Sequence, residues 1–391
     1  MIGRMPRILL LVPSATYRAQ DFIAAAKAIE VDLVIGTEMP SPVGNGRGLV
    51  QIPLDDPLAA ADAIEAFDRE HGIDAVVAVD DGGTLAAAHA GERLGFPHSA
   101  PDSVAATRDK AEMRRRLAKS EVTQPRFGSS GAEVGYPCVV KPTGLSGSRG
   151  VIRADTAEQE SAARIRIATF WDGPLLVEQY VPGVEIALEG LLTNGRLEVL
   201  AIFDKPDPLV GPYFEETMYV TPSRLVPRDL GAAERAASLA CVALGLTEGP
   251  VHAEVRVKDA QAWVIEVASR SVGGLCARAL RFGAGISLEE VVLRHALNLP
   301  MTDLARERSA SGVTMLPIAQ EGTLVAVNGR ERALGVPGVV GLEITIPIGH
   351  RVVPLPEGDR YLGFLFARAD SPDQVESALR EAVTHLDIVI A

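Results

Sequence analysis

The chain has 391 residues and a formal net charge of -13, with 47% hydrophobic and 23% charged residues. That balance is ordinary for a globular protein, and the length suits two or three subdomains rather than one small core. The acidic excess excludes a general nucleic-acid binder, and any phosphate-handling site must concentrate its Lys and Arg locally.

Three cysteines, Cys138, Cys241 and Cys276, occur without a CxxC pair or a His/Cys cluster. This excludes a disulfide framework and a zinc ribbon and suggests buried free thiols in a reducing compartment. The opening MIGRMPRILLLVPSA has an apolar run of strand length, too short for a membrane span. The expected location is the cytoplasm, with no membrane partner.

In chain order, a strand is expected over Arg7–Val12, a helix over Ala19–Glu30 and a strand over Val31–Ile35. This βαβ beginning predicts a parallel sheet covered by helices. No GxGxxG follows the first strand; Gly44 to Gly48 sits in a Pro/Gly loop and reads as a flexible connection. A strand over Ile73–Val79 ends in Asp80-Asp81-Gly82-Gly83. Carboxyl ends of parallel strands border ligands, but Asp and Gly also cap helices, and the cap is the preferred reading here. Asp102–Lys119 is expected as one helix whose run Arg114-Arg115-Arg116 reads as a solvated face.

From Pro137 the sequence runs PCVVKPTGLSGSRGV. A buried strand delivers Lys141, and Gly144, Gly147 and Gly150 punctuate a loop with Ser146 and Ser148. Glycines let the backbone fold closely over an anion and aim N–H groups at it, beside a fixed ammonium. The order is not that of a P-loop, since no GK[ST] closes it. The competing reading is a plain hairpin turn. Next, Leu175 to Glu185 (LLVEQYVPGVE) reads as a strand entering a Pro-Gly turn.

Val251 to Arg270, VHAEVRVKDAQAWVIEVASR, reads as two strands joined by a polar turn. A three-residue loop over Asp259–Gln261 puts Glu254 directly opposite Glu266. Their Cβ atoms are then about 5 Å apart, and two bare carboxylates repel by roughly 3 kcal/mol at an effective dielectric near 20. A hard divalent ion between them removes that cost, and Mg²⁺ takes one or two carboxylates alongside phosphate and water. The alternatives are an edge hairpin with both glutamates in solvent, or a four-residue loop that slips the register and separates them.

In their order, Asp109-Lys110, Lys141 with GLSGSRG, EQYVPGVE, and HAEV with IEVASR resemble the ATP-grasp superfamily throughout residues 1–391. The form EVASRSVGG is similar to that of L-amino-acid ligases and related carboxylate–amine ligases. The resemblance implies an α/β and α+β ATP-grasp fold. It places an N-terminal Rossmann-like parallel-sheet domain over 1–105 and a small subdomain with a glycine-rich flap over 106–182. The large subdomain and C-terminal lobe take 183–391.

It further implies that Lys110 and Lys141, with Ser146, Gly147 and Ser148 of the flap, hold ATP phosphates. Glu178, Gln179, Tyr180 and Val181 would meet adenine, and Glu185 the ribose. Glu254 and Glu266 would bind Mg²⁺, with Mn²⁺ as an alternative ion. Arg270 would contact the γ-phosphate or an acyl-phosphate, and with Lys141 it forms the catalytic pair. FEETMYVTP, residues 214–222, resembles a segment with a substrate-facing Glu; by that match Glu216 and Tyr219, with Gly273 and Gly274, face the substrates.

Two departures stand out. Ala268 occupies the position of a usual third metal ligand, Asn, and Tyr219 stands where a His is usual. The implied function is an ATP-dependent carboxylate–amine ligase acting on amino acids, with a homodimer left open. A D-alanine–D-alanine ligase-like or biotin carboxylase-like enzyme, or an ATP-binding protein without catalysis, are the alternatives. Helices are expected over Ala277–Phe282, Leu288–Leu297 and Asp373–Leu386, and Tyr361–Ala367 resembles the terminal strand of those ligases.

Overall fold

A computed structural model describes residues 4–14, 16–39, 48–301 and 303–391. The Gly44–Gly48 loop, apart from Gly48, lies outside the described residues. The first sheet is parallel, in the order Leu49–Gln51, Asp32–Thr37, Arg7–Leu11, Ala75–Ala78. Arg7–Leu11 is an unbroken apolar run because both of its faces are covered. Leu9 and Leu11 pack with Ile64 and Phe67, while Ile8 and Leu10 pack with Phe22 and with Leu293 from the distant helix Leu288–Ala296.

An antiparallel sheet of eight strands forms the centre of the molecule. Its order is Gln261–Ala268, Gly249–Lys258, Val184–Thr193, Arg196–Asp204, Met218–Thr221, Ala310–Leu316, Gly363–Ala369, Val339–Ile344. Side chains alternate between its faces. Ile186, Leu188, Ala253, Val255 and Val257 pack with Ala233, Ala237 and Leu244 of the helix Pro227–Leu244. The same alternation turns Glu185, Glu189, His252, Glu254 and Arg256 to the opposite face. A four-stranded antiparallel sheet ordered Phe127–Gly128, Leu175–Gln179, Cys138–Pro142, Ile152–Ala154 stands over that face, backed by the helix Ala157–Ile167.

Several expectations change. The helix expected over Asp102–Lys119 is two helices, Pro101–Arg108 and Lys110–Leu117. Asp109 breaks it: its side chain accepts from the N–H groups of Ala111 and Glu112, capping the second helix. Ala277–Phe282 is a single 3₁₀ turn, Cys276–Ala279. The strand Gly363–Ala369 is not terminal, because Asp387–Ile390 follows and pairs with Gly322–Asn328. No helix among the described residues is long and apolar enough to cross a membrane.

Candidate active site

The hairpin reaches the expected pairing by a different route. Its turn has two residues, Asp259 and Ala260, both left-handed at φ 51° and 63°, and Lys258 faces Gln261. That register alone would set Glu254 against Ile265. A bulge inserts one extra residue between Val264 and Glu266, so that Glu254 pairs with Glu266 after all. The bulge leaves carbonyls to satisfy, and Arg114 meets them: Nη1 donates to Val264 O at 3.0 Å and Nη2 to Ile265 O at 2.6 Å.

Arg114 therefore is not part of a solvated face. It is fully buried, and its Nε donates to Glu178 Oε1 at 2.6 Å. Glu178 Oε2 holds Lys141 Nζ at 2.7 Å. Burial opposes ionisation of Glu178, but Arg114, then Lys141, outweigh it and hold its pKa down to about 2. Both oxygens of Glu178 are thus committed to cations. The side chain fixes Lys141 in place, and Glu178 also lines the cavity of the site. Val181, by contrast, leaves its N–H without a partner among the described residues, while its carbonyl accepts from Arg256 Nη1 at 2.6 Å.

Lys110 is buried, with Nζ 2.6 Å from Leu145 O in the glycine-rich loop and 3.3 Å from Glu266 Oε1. Its backbone N–H donates to Thr143 O at 2.9 Å, so the root of the loop is tied to the helix cap. Gly147 and Gly150 take φ of 63° and 70°, which L side chains rarely adopt. The loop's far end is latched to the C-terminal region: Gly150 N–H donates to Pro356 O at 2.9 Å and Arg149 Nε to Glu357 O at 3.0 Å.

Sequence reasoning missed the second charge centre. Lys205, just after the strand Arg196–Asp204, sends its ammonium among three carboxylates. It lies 2.7 Å from Glu185 Oε1 and 3.4 Å from Glu254 Oε1, and it donates to Glu216. Those three acids carry oxygens within 4.8 Å of one another, close enough to share one metal ion. Glu185 gives its other oxygen to Arg256 Nε at 2.7 Å, so both oxygens are engaged by cations while the residue still lines the cavity. Burial works against the charge on Lys205, and Glu185, Glu216 and Glu254 outweigh it, raising its pKa well above the usual range. Glu254 is held far below the ordinary range despite burial, mainly by Lys205 and then His252. Glu216 shifts up, because burial outweighs Lys205. A lysine with a following Pro on a polar loop carried no local signal.

His252 donates to Glu189 through Nδ1, and its Nε2 lies 3.7 Å from Glu254 Oε1. Burial lowers the imidazole pKa, but the Glu189 carboxylate outweighs it and lifts it to about 9. The Asp80-Asp81 turn is the other correction. Asp80 precedes the helix Asp81–Leu94 yet makes no side-chain cap, and it lies 3.4 Å from Arg18 Nη1. Asp81 accepts from Arg270 Nη2 at 3.0 Å. The turn therefore borders the site, and Asp81 ties the first sheet to Arg270.

Lys110, Lys141, Glu178, Glu185, Glu216, His252, Glu254, Glu266, Asp80, Asp81 and Arg270 line one cavity of about 400 Å³, whereas Arg114, Lys205 and Glu189 are not lining residues and hold side chains that are. It is also lined by Ser146, Gly147, Ser148, Gln179, Tyr180 and Val181, and by Tyr219, Gly273 and Gly274, with Glu216 beside Glu254. Ala268 also lines it. Lys141 faces the same space but pairs with Glu178, and the lysine beside Glu266 is Lys110.

Residues 134–279 match the ATP-grasp domain, residues 23–98 the ATP-grasp N-terminal domain, and residues 314–391 the L-amino acid ligase C-terminal domain 2. Residues 134–279 thus form an ATP-grasp domain, preceded by an ATP-grasp N-terminal domain over residues 23–98. Its fold is that of the L-amino acid ligase from Bacillus licheniformis, which superposes over 100% of both chains with a TM-score of 0.82 at 24% identity. Alanine–anticapsin ligase of Bacillus subtilis (strain 168) is 28% identical over 235 residues, covering 52% of this ATP-grasp chain and 49% of the relative. An uncharacterized protein of Sinorhizobium fredii is 26% identical over 307 residues, 75% of this chain and 63% of its own length. The chain thus spans about half to under two thirds of the length of these curated relatives.

The residues present fit a metal-bound nucleotide. The Lys205 ammonium marks a place among three carboxylates where positive charge is stabilised, and the acidic residues outnumber their paired cations there. Around Glu178 the imbalance is reversed, with two cations on one carboxylate.

Proposed function

We propose that this protein is an ATP-dependent carboxylate–amine ligase that joins amino acids through an acyl-phosphate. The observation that carries the reading is the single cavity in which buried ammonium and guanidinium groups, opposed carboxylates and a glycine-rich loop meet an open substrate end. In this reading Lys110, Lys141 and the N–H groups of Ser146–Ser148 bind the phosphates, and Val181 N–H meets the adenine edge. Glu254 and Glu266 hold Mg²⁺, with Glu216 close enough to Glu254 to contribute. The ion, when bound, supplies neutralising charge to the transferring phosphoryl group.

The substrate carboxylate attacks the γ-phosphorus, the bond to the β,γ-bridging oxygen breaks, and ADP leaves. The amine nitrogen then attacks the acyl carbon, phosphate departs with the C–O bond pair, and the ammonium-derived proton is lost to solvent. Arg270, held in place by Asp81, faces the charge that develops on the acyl oxygen and the departing phosphate. Lys110 and Lys141 stay fixed by Leu145 O and Glu178 while this happens, so the chemistry rests on positioning and electrostatics rather than on a protein nucleophile. The latch from Arg149 and Gly150 to Pro356 and Glu357 keeps the flap over the site and water away from the acyl-phosphate.

The test is the full chain with ATP, Mg²⁺ and paired amino acids, followed by ADP and phosphate release and by mass spectrometry of the product. A new amide mass appearing in step with ADP supports the reading. ADP formed only with bicarbonate, or ATP bound and never cleaved across the panel, rejects it.

A further inference from the structure

The substrate end of the cavity has a composition of its own. Buried Tyr219, Cys276 and Met315 form its floor, and half-buried Tyr17, Leu355 and Tyr361 its wall. The two sulfurs are in contact, with Cys276 Sγ 3.6 Å from Met315 Sδ. Phe364 backs the wall from behind: its ring centroid lies 5.6 Å from that of Tyr17 and 5.9 Å from that of Tyr361. The surface offered is therefore thiol, thioether and aromatic carbon, the polarizable material that fits apolar side chains.

The charges at its margin are already paired. Asp80 lies against Arg18 at 3.4 Å, Asp359 is 3.9 Å from Arg360, and Glu216 holds Lys205. A cationic side chain entering here would have to compete with Lys205 for Glu216 and with Arg18 for Asp80. An anionic one would meet Glu216, Asp80 and Asp359 as well as the apolar floor. A glycine or alanine would leave the floor uncovered and its contacts unmade.

We infer that this compartment selects an amino acid with a large apolar side chain, of aromatic, thioether or branched aliphatic type. The inference rests on the ligase reading for its chemistry, but the recognition surface stands on its own residues. The side chain lies over Cys276 and Met315 between Tyr17 and Tyr361, while the backbone carboxylate points toward Arg270 and the flap. The loop that supplies Leu355 and Tyr361 also contains Pro356 and Glu357, the anchors of the flap, so the compartment is walled by the same segment that latches the nucleotide end. A buried apolar group of this size discriminates by roughly tenfold to a hundredfold against one that leaves the pocket empty.

The experiment uses calorimetric binding and, separately, ADP release, with the full chain, ATP, Mg²⁺ and single amino acids: Phe, Met and Leu against Gly, Asp and Lys. The expected result is at least about tenfold tighter binding and higher kcat/KM for the first set. Met315→Trp fills the floor and should reverse the ranking toward Gly and Ala. Tyr361→Ala, at a half-buried position that the fold tolerates more readily, should flatten it. Preference for Gly, Asp or Lys by the unaltered chain, or a ranking unmoved by both variants, overturns the inference. Apolar amino acids that bind tightly yet release no ADP when each is paired with every other amino acid support the compartment and count against the ligase reading instead.

Discussion

Two buried charge centres of opposite design hold side chains that line the cavity. At Glu178 one carboxylate is shared by Arg114 and Lys141, an excess of positive charge. At Lys205 one ammonium is shared by Glu185, Glu216 and Glu254, and with Arg256 added the excess is still negative. A buried ion pair is costly to desolvate and costlier to leave half-made, so a lasting imbalance implies that a ligand completes it. The first centre suits phosphate and the second a cation. Side by side they fit the proposed nucleotide with its metal, whereas a purely structural network would balance each charge in place.

The sharpest way to break the comparison is at the opposed carboxylates. Glu266→Gln should reduce Mg²⁺-dependent turnover by about a hundredfold or more while leaving the thermal midpoint unchanged, because it removes charge but keeps shape. Unaltered turnover would remove Glu266 from the reaction. Lys205→Met should cost about 3–5 kcal/mol of stability, because three carboxylates lose their shared partner. Denaturant melts with and without Mg²⁺ measure it, and partial recovery with the ion is expected if the acidic excess is a cation site.

Protons probe the same two centres from opposite directions. Glu178 sits near 2 in the folded chain against an ordinary 4.5. Its contribution, on the order of 3 kcal/mol, is complete above about 4.5 and is lost as pH falls toward 2. His252 sits near 9 against an ordinary 6.5, so its contribution is complete below about 6.5 and is lost as pH rises through 9. Melts across pH should show both limbs, and His252→Gln should flatten only the alkaline one. A smaller effect is expected at Arg114→Lys, which keeps a charge beside Glu178 but loses the fork to Val264 and Ile265. Activity should fall about tenfold, more in kcat than in KM, if the bulge positions Glu266. The least is expected at the turn: Ala260→Gly relieves a left-handed residue and should add up to about 1 kcal/mol, read as a higher midpoint.

Legibility followed contiguity. Lys141 with its glycines, and Glu254 and Glu266, stood out because each lies in a short segment with a clear period or turn chemistry, and Arg270 stood out by the family resemblance of EVASRSVGG. The βαβ start was equally plain, since Arg7–Leu11 is apolar on both faces. The bulge at Ile265 was invisible: it consists of one ordinary apolar residue in a strand, and the expected pairing came from a turn length that the chain does not use. Arg114 looked like one of three exposed arginines, and Asp80 and Asp81 looked like a cap, because composition cannot say what packs against a helix.

The amino-acid sequence alone determined the resemblance to ATP-grasp proteins, the glycine-rich loop after Lys141, the βαβ start and the strand pair that carries Glu254 and Glu266. These depend on residue types a few positions apart, where backbone geometry fixes the outcome. Only the tertiary structure decided that Lys205 sits among Glu185, Glu216 and Glu254, that Arg114 holds both the bulge and Glu178, and that Tyr17, Cys276, Met315 and Tyr361 share one compartment. Their partners are tens to hundreds of residues away in the chain, and the strength of a charge or an apolar surface is set by the burial that folding imposes on it.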